Sequence, residues 1–136
     1  MKSLLTDKDA KSLGTVILGS VQGDMHDIGK NLVGMMLEGR GLKVIDIGID
    51  VPAEKFVEAA IKHKADIVAC SILLTTTMPE TPKVVKAFVD AGIREQIKIM
   101  IGGAPITQDF CERMGCDGYA KDAGAAAAMA VAICQK

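Results

Sequence analysis

The 136-residue chain lacks any charge imbalance, with 16 basic against 17 acidic residues, so no strong field draws it to nucleic acid or to an anionic membrane, and its partners must be recognised by shape. It lacks a CxxC pair and histidines at zinc-finger spacing. Its four cysteines, Cys70, Cys111, Cys116 and Cys134, read as small buried hydrophobes, and the start of the chain lacks a secretory pattern. A reducing cytoplasm is the compartment these features suggest. It also lacks a run able to span a bilayer: the longest apolar stretch, Ala123 to Cys134, is twelve alanine-dominated residues and reads as a packed helix.

What is present is a regular alternation. Apolar runs bounded by Gly, Pro or Asp at Thr15 to Leu18, Leu42 to Ile49, Ile67 to Leu74, Ile97 to Ile101 and, weakly, Gly118 to Ala120 predict five strands. Helical spacing fills Ile28 to Arg40, Ala53 to Lys62, Pro79 to Ala91, Ile106 to Met114 and Ala123 to Cys134. Strands that are apolar on both faces suit a parallel sheet covered by helices on both sides. The expectation is an α/β, doubly wound, flavodoxin-like (Rossmann-like) fold with strand order 2-1-3-4-5. Residues 1–13 are expected to form a short leader with a helical turn, and 14–136 a single domain.

In such a sheet ligands bind beyond the carboxyl ends of the strands at the switch point, between strands one and three. The loop there reads Gly23-Asp24-Met25-His26-Asp27-Ile28-Gly29-Lys30-Asn31. Imidazole binds transition metals, and a ligating histidine commonly donates its second N–H to a carboxylate, for which Asp24 is placed. One histidine cannot hold a bare ion, so a macrocycle must bring the remaining ligands. Corrinoid and haem both satisfy that condition; bare zinc does not. Read by itself, the loop is equally compatible with a capping histidine and solvated aspartates. Gly29, Gly34 and Gly39 each cost about 1 kcal/mol inside the following helix, which asks for a bulky ligand or a neighbouring strand lying against it.

Two further loops follow strand ends: Ser71 to Pro79, whose four hydroxyls, on Ser71, Thr75, Thr76 and Thr77, are expected to face one crevice, and Gly102-Gly103-Ala104-Pro105, whose glycines admit a ligand against bare backbone. Met25, Met35, Met36 and Met78 read as flexible core filling, and His63, Lys30 and Lys121 as solvated side chains. A phospho-receiver needs an aspartate ending strand three, where Cys70 and Ser71 stand. A flavodoxin needs a Ser/Thr-rich phosphate loop after strand one, where Gln22, Asp24 and His26 stand.

Asp24, His26 and Gly29, followed after residues 30–70 by Ser71 and Leu73 and after residues 74–101 by Gly102 and Gly103, follow the order D-x-H-x-x-G, S-x-L, G-G. This pattern resembles the cobalamin-binding domain shared by methionine synthase, methanogen-type corrinoid proteins and B12-dependent mutases. The resemblance implies a cobalamin or related corrinoid cofactor, held with His26 as the lower cobalt ligand in place of the cofactor's own base. It further implies that Gly29, Ser71, Leu73, Gly102 and Gly103 line the pocket for the displaced nucleotide tail. Gly23, Met25, Asp27, Ile28, Thr75, Tyr119 and Ala123 would contact the cofactor from around that pocket. Asp24 would accept a hydrogen bond from His26 and meet the hydroxyl of Thr77, where methionine synthase has a serine. That relay would tune cobalt between its Co(III) and Co(I) states.

The segment Ser71 to Met78 resembles corrinoid proteins of methyltransferase systems. It implies a methyl carrier that is not a catalyst alone, on whose upper corrin face methyltransferase subunits dock, with homodimerisation left open and no nucleic acid or membrane partner. Such carriers usually have a helical cap before this fold, and only the thirteen residues of the expected leader precede the domain here. The alternative is the small subunit of an adenosylcobalamin-dependent mutase, against which the run Thr75-Thr76-Thr77 stands. A B12-sensing regulator would need a DNA-binding segment that this sequence does not show.

Overall fold

The computed structural model describes residues 14–25, 27–103 and 105–134. The leader expected over residues 1–13 lies outside them, as do His26 and Ala104. Five parallel strands, β1 (Thr15–Val21), β2 (Lys43–Val51), β3 (Ile67–Ser71), β4 (Lys98–Gly102) and β5 (Gly118–Ala120), form one sheet in the order β2-β1-β3-β4-β5. They alternate with α1 (Ile28–Gly39), α2 (Ala53–His63), α3 (Glu80–Asp90), α4 (Gln108–Met114) and α5 (Ala123–Cys134). The doubly wound architecture with order 2-1-3-4-5 is therefore the observed one.

Period-two alternation along each strand sorts the apolar side chains into two layers. Ile17, Val68, Cys70 and Ile99 face α2, α3 and α4, where Phe56 and Phe88 are wholly buried. Val16, Leu18, Ile67, Ala69 and Met100 face α1 and α5, whose Leu37, Ala126, Ala127 and Ala130 close the second layer. The small side chains of α5 let its backbone lie close to the sheet. Gly34 has the same use on α1: a Cβ there would stand 3.2 Å from Leu18 Cδ2. Thus one of the three costly helix glycines is explained by a neighbouring strand.

Some boundaries differ from the sequence expectation, for identifiable reasons. β3 stops at Ser71 although the apolar run continues to Leu74. Ile72 N–H still donates to Gly102 O at 2.9 Å, but the next amide, Leu73 N–H, leaves the ladder and donates to Asp24 Oδ2 at 2.6 Å. A 3-10 turn over Thr75–Thr77 follows. α4 starts at Gln108 rather than Ile106, because Thr107 caps it, accepting from Phe110 N–H at 3.1 Å, while Ile106 is buried as an anchor ahead of the cap.

Several side chains also depart from expectation. Lys30 is not solvated: it is 3% exposed, with its Nζ 2.6 Å from Asp46 of β2, since the first turn of α1 lies against that edge strand. Met25, Met35 and Met36 are exposed rather than core filling: Met25 stands in the loop before α1, and α1 turns Leu37 and Gly34 inward and presents Met35 and Met36 outward. Met78 does pack, partly buried, against the core under α2, α3 and α4. His63, the last residue of α2, is half-buried, and Lys121 is exposed. The cysteines are all free; Cys70 and Cys111 are buried and Cys116 and Cys134 half-buried. Burial pushes the Cys70 thiol up and carries that of Cys116 to about 12, so these groups remain protonated and unreactive at neutral pH.

Candidate cofactor site

At the carboxyl edge of the sheet the chain leaves β1 and β3 in opposite directions and opens a crevice of about 370 Å³. One wall is α1, through Gly29, Leu32 and Val33; the opposite wall is the start of α5, through Ala123 and Ala126. The floor is made by Ser71 and Leu73 after β3 and by Gly102 and Gly103 at the end of β4. A Cβ on Gly29 would point toward open space, meeting only Leu73 Cδ1 at 4.0 Å, so a larger residue there would grow into the crevice. Gly102 and Gly103 answer a different demand. A Cβ on Gly102 would come within 2.8 Å of Ala120 O, and one on Gly103, which has φ +136°, would overlap the Ile72 carbonyl oxygen. The floor therefore exists only because two consecutive residues lack side chains.

Beside the crevice lies Asp24, wholly buried. Its Oδ2 accepts from Leu73 N–H at 2.6 Å and from the Thr77 hydroxyl at 3.2 Å. The same hydroxyl lies 2.9 Å from Leu74 O. A hydroxyl has one hydrogen to donate, so Thr77 can serve one of these acceptors at a time and accept at its own oxygen when turned away from Asp24. Thr77 is thus able to pair with Asp24 in either protonation state. Gly23, at φ +88°, completes the contact: a Cβ on it would stand 3.3 Å from Thr77 Cγ2.

The described residues expected at the site divide into two sets. Gly29, Ser71, Leu73, Gly102, Gly103 and Ala123 are brought together around the crevice, with Gly23, Asp24 and Thr77 beside it. Met25 and Asp27 are exposed in the β1–α1 loop, and Ile28 begins α1. Thr75 and Thr76 are exposed on the 3-10 turn while Thr77 alone turns inward, so the four hydroxyls of that loop do not share one crevice. Tyr119 packs on the side of α2, α3 and α4, the opposite face of the sheet from Ala120, which lines the crevice. His26, the expected metal ligand, lies outside the described residues. Among the described residues no group of three or more His, Cys, Asp or Glu is arranged to hold a metal ion, and no helix is long and apolar enough to cross a membrane.

Sequence reasoning did not single out Leu32 and Val33 as lining residues, nor Asp122. Asp122 also caps α5, its Oδ1 accepting from Ala125 N–H at 2.7 Å. An aspartate directly before an alanine-rich helix is a recognisable cap and could have been read. Leu32 carried no such mark, being one apolar residue among several on α1.

Comparison with known proteins agrees with this geometry. The family model described as "B12 binding domain" matches residues 14–132. The chain is 48% identical over 115 residues to trimethylamine corrinoid protein 1 of Methanosarcina acetivorans, an alignment covering 85% of this chain and 53% of that protein. Among solved structures, the monomethylamine corrinoid protein of Methanosarcina barkeri superposes with a TM-score of 0.86 at 36% identity, covering 93% of this chain and 61% of that one. The methanol:cobalamin methyltransferase complex of Methanosarcina barkeri contains a chain matched with a TM-score of 0.86 at 36% identity, covering 95% of this chain and 50% of that one. This chain thus spans little more than half the length of these relatives. With the family model covering nearly its whole length, the chain belongs to the B12-binding domain family and is a corrinoid-binding domain.

Proposed function

We propose that this domain carries a methyl group on its corrinoid within a methyltransferase system, with His26 as the lower cobalt ligand and the cofactor's own base displaced into the crevice. The observation that carries this reading is the buried Asp24 carboxylate, fixed by Leu73 N–H and the Thr77 hydroxyl, two residues before His26 and beside the crevice. A buried carboxylate is costly unless it serves a partner, and orienting a ligating imidazole is such a service. The crevice also fits the displaced tail. It is apolar along α1 and α5, its floor is bare backbone at Gly102 and Gly103, and Gly29 leaves its entrance open.

When bound, the corrinoid supplies a cobalt centre able to accept and give up a methyl group. The protein's contribution is positional. Asp24 holds the acceptor for an imidazole N–H, and Thr77 stabilises that carboxylate by donating to it, or accepts from it after turning its own hydrogen to Leu74 O. A proton can therefore be held at Asp24 without leaving a buried polar atom unpaired. Exposed Met25 and Leu74 at this edge offer adaptable apolar contacts to a docking methyltransferase subunit. The names of the relatives, corrinoid proteins for trimethylamine and monomethylamine, favour a small methylated donor over a mutase substrate.

Cofactor preference tests the carrier reading. The purified domain is mixed with methylcobalamin or adenosylcobalamin and passed through gel filtration. Preferential retention of methylcobalamin is expected. Preferential retention of adenosylcobalamin would instead make this the subunit of a mutase.

A further inference from the structure

The segment that carries Asp24 and His26 is held at both ends by carboxylates of the edge strand β2, and neither of these lines the crevice. At the upstream end Gly23 N–H donates to Asp50 Oδ1 at 2.7 Å, and Asp50's own N–H donates to Asp24 O at 2.9 Å. At the downstream end the buried Lys30 Nζ donates to Asp46 Oδ2 at 2.6 Å, and Asp46 Oδ1 in turn accepts from Gly48 N–H at 2.9 Å. Residues 25–29 are therefore a short span between two fixed points.

The backbone of β2 is bent at the place where it makes these bonds. Gly48 has φ +99° and Asp50 φ +55°, and the pairing of β1 with β2 shifts register between Leu18 and Gly19 and again between Gly19 and Val21. A non-glycine residue in the left-handed region carries a conformational cost and persists where its surroundings require it. Here the bend aims the Asp50 carboxylate at the Gly23 amide while its main chain meets Asp24. We infer that Asp50, with Asp46 as the second anchor, is a positioning residue that sets where the β1–α1 loop presents its cobalt ligand. The inference rests on the reading of His26 given above, and its effect passes through main-chain placement, since Asp50 bonds Gly23 and Asp24 and does not line the crevice.

Two variants separate the bond from the backbone. Glycine is at ease at φ +55°, so Asp50→Gly removes the acceptor without adding strain, whereas Asp50→Asn keeps an acceptor oxygen and tolerates the left-handed conformation. Amide exchange is measured on the cofactor-free protein. The share of cobalt bearing a protein nitrogen is measured by electron paramagnetic resonance on nitrogen-15-labelled protein loaded with Co(II) cobalamin. In Asp50→Gly, exchange at Gly23 is expected to rise about tenfold, as for loss of a charge-assisted hydrogen bond, and the protein-ligated share to fall. Asp50→Asn, which keeps the acceptor without its charge, is expected to restore the protein-ligated share and to recover most, but not all, of the protection at Gly23. An unchanged protein-ligated share in Asp50→Gly, or an Asp50→Asn variant as impaired as Asp50→Gly, overturns the inference. If the wild type itself shows no protein nitrogen on cobalt, the reading of His26 has failed. The Gly23 amide then decides the clamp alone, and unchanged exchange in Asp50→Gly overturns it.

Discussion

Replacing Gly103 by alanine is expected to destabilise the domain by at least about 3 kcal/mol, a large part of the margin of a typical domain. Two costs add. At φ +136° an L residue is strained, and the new Cβ would overlap the carbonyl oxygen of Ile72. Ile72 cannot step aside: it is wholly buried with its own N–H bonded to Gly102 O, and the peptide that carries its carbonyl is held by Leu73 N–H on Asp24 Oδ2. Because the collision is with backbone, no rotamer change relieves it. The natural control is Gly39→Ala, where a Cβ meets nothing within 4 Å and helix propensity at the last residue of α1 should add stability of up to about 1 kcal/mol. Denaturant melts of the cofactor-free proteins check both. A Gly103→Ala protein as stable as the wild type would contradict the close approach of β3 and β4 that forms the crevice floor.

Asp24→Asn should give the opposite profile, a small change in stability with a large change in cofactor binding. An amide oxygen at the Oδ2 position can still accept from both Leu73 N–H and the Thr77 hydroxyl, so these buried bonds survive, while the NH2 takes the Oδ1 position and cannot accept there. What is lost is the negative charge and the acceptor available to His26. Removing the partner that orients a metal-bound histidine typically costs about 10–100-fold in affinity. Titration with Co(III) cobalamin, followed by absorbance, should show weakening within that range while the melting midpoint moves little. If affinity is unchanged, Asp24 serves the fold and not the cofactor.

The layering of the fold was legible because β1, β3 and β4 are apolar on both faces and the helices between them keep helical spacing. That combination has one economical arrangement, a parallel sheet covered on both sides. The described part of the site was legible through residues whose chemistry is independent of their neighbours: an aspartate, two hydroxyls and a pair of glycines at strand ends. The readings that failed depend on tertiary placement. Ile72 to Leu74 look like strand because they are apolar, yet Leu73's amide is diverted to Asp24, a residue 49 positions away. Lys30 looks solvated until β2 brings Asp46 against it. Met35 and Met36 fit a core pattern but point away from the sheet, since Gly34 and Leu37 already fill the inward face of α1. Asp50 carries no signal in the sequence at all, because an acidic residue on an edge strand ordinarily serves only to keep that edge in water.

The most direct test of the central claim is the electron paramagnetic resonance spectrum of the Co(II) cobalamin complex, recorded with unlabelled and with uniformly nitrogen-15-labelled protein. Ligation by His26 predicts that the superhyperfine triplet from a nitrogen-14 ligand becomes a doublet on labelling, and that His26→Ala abolishes the doublet. A triplet that persists in the labelled protein would mean that cobalt keeps the cofactor's own base, and would contradict the account.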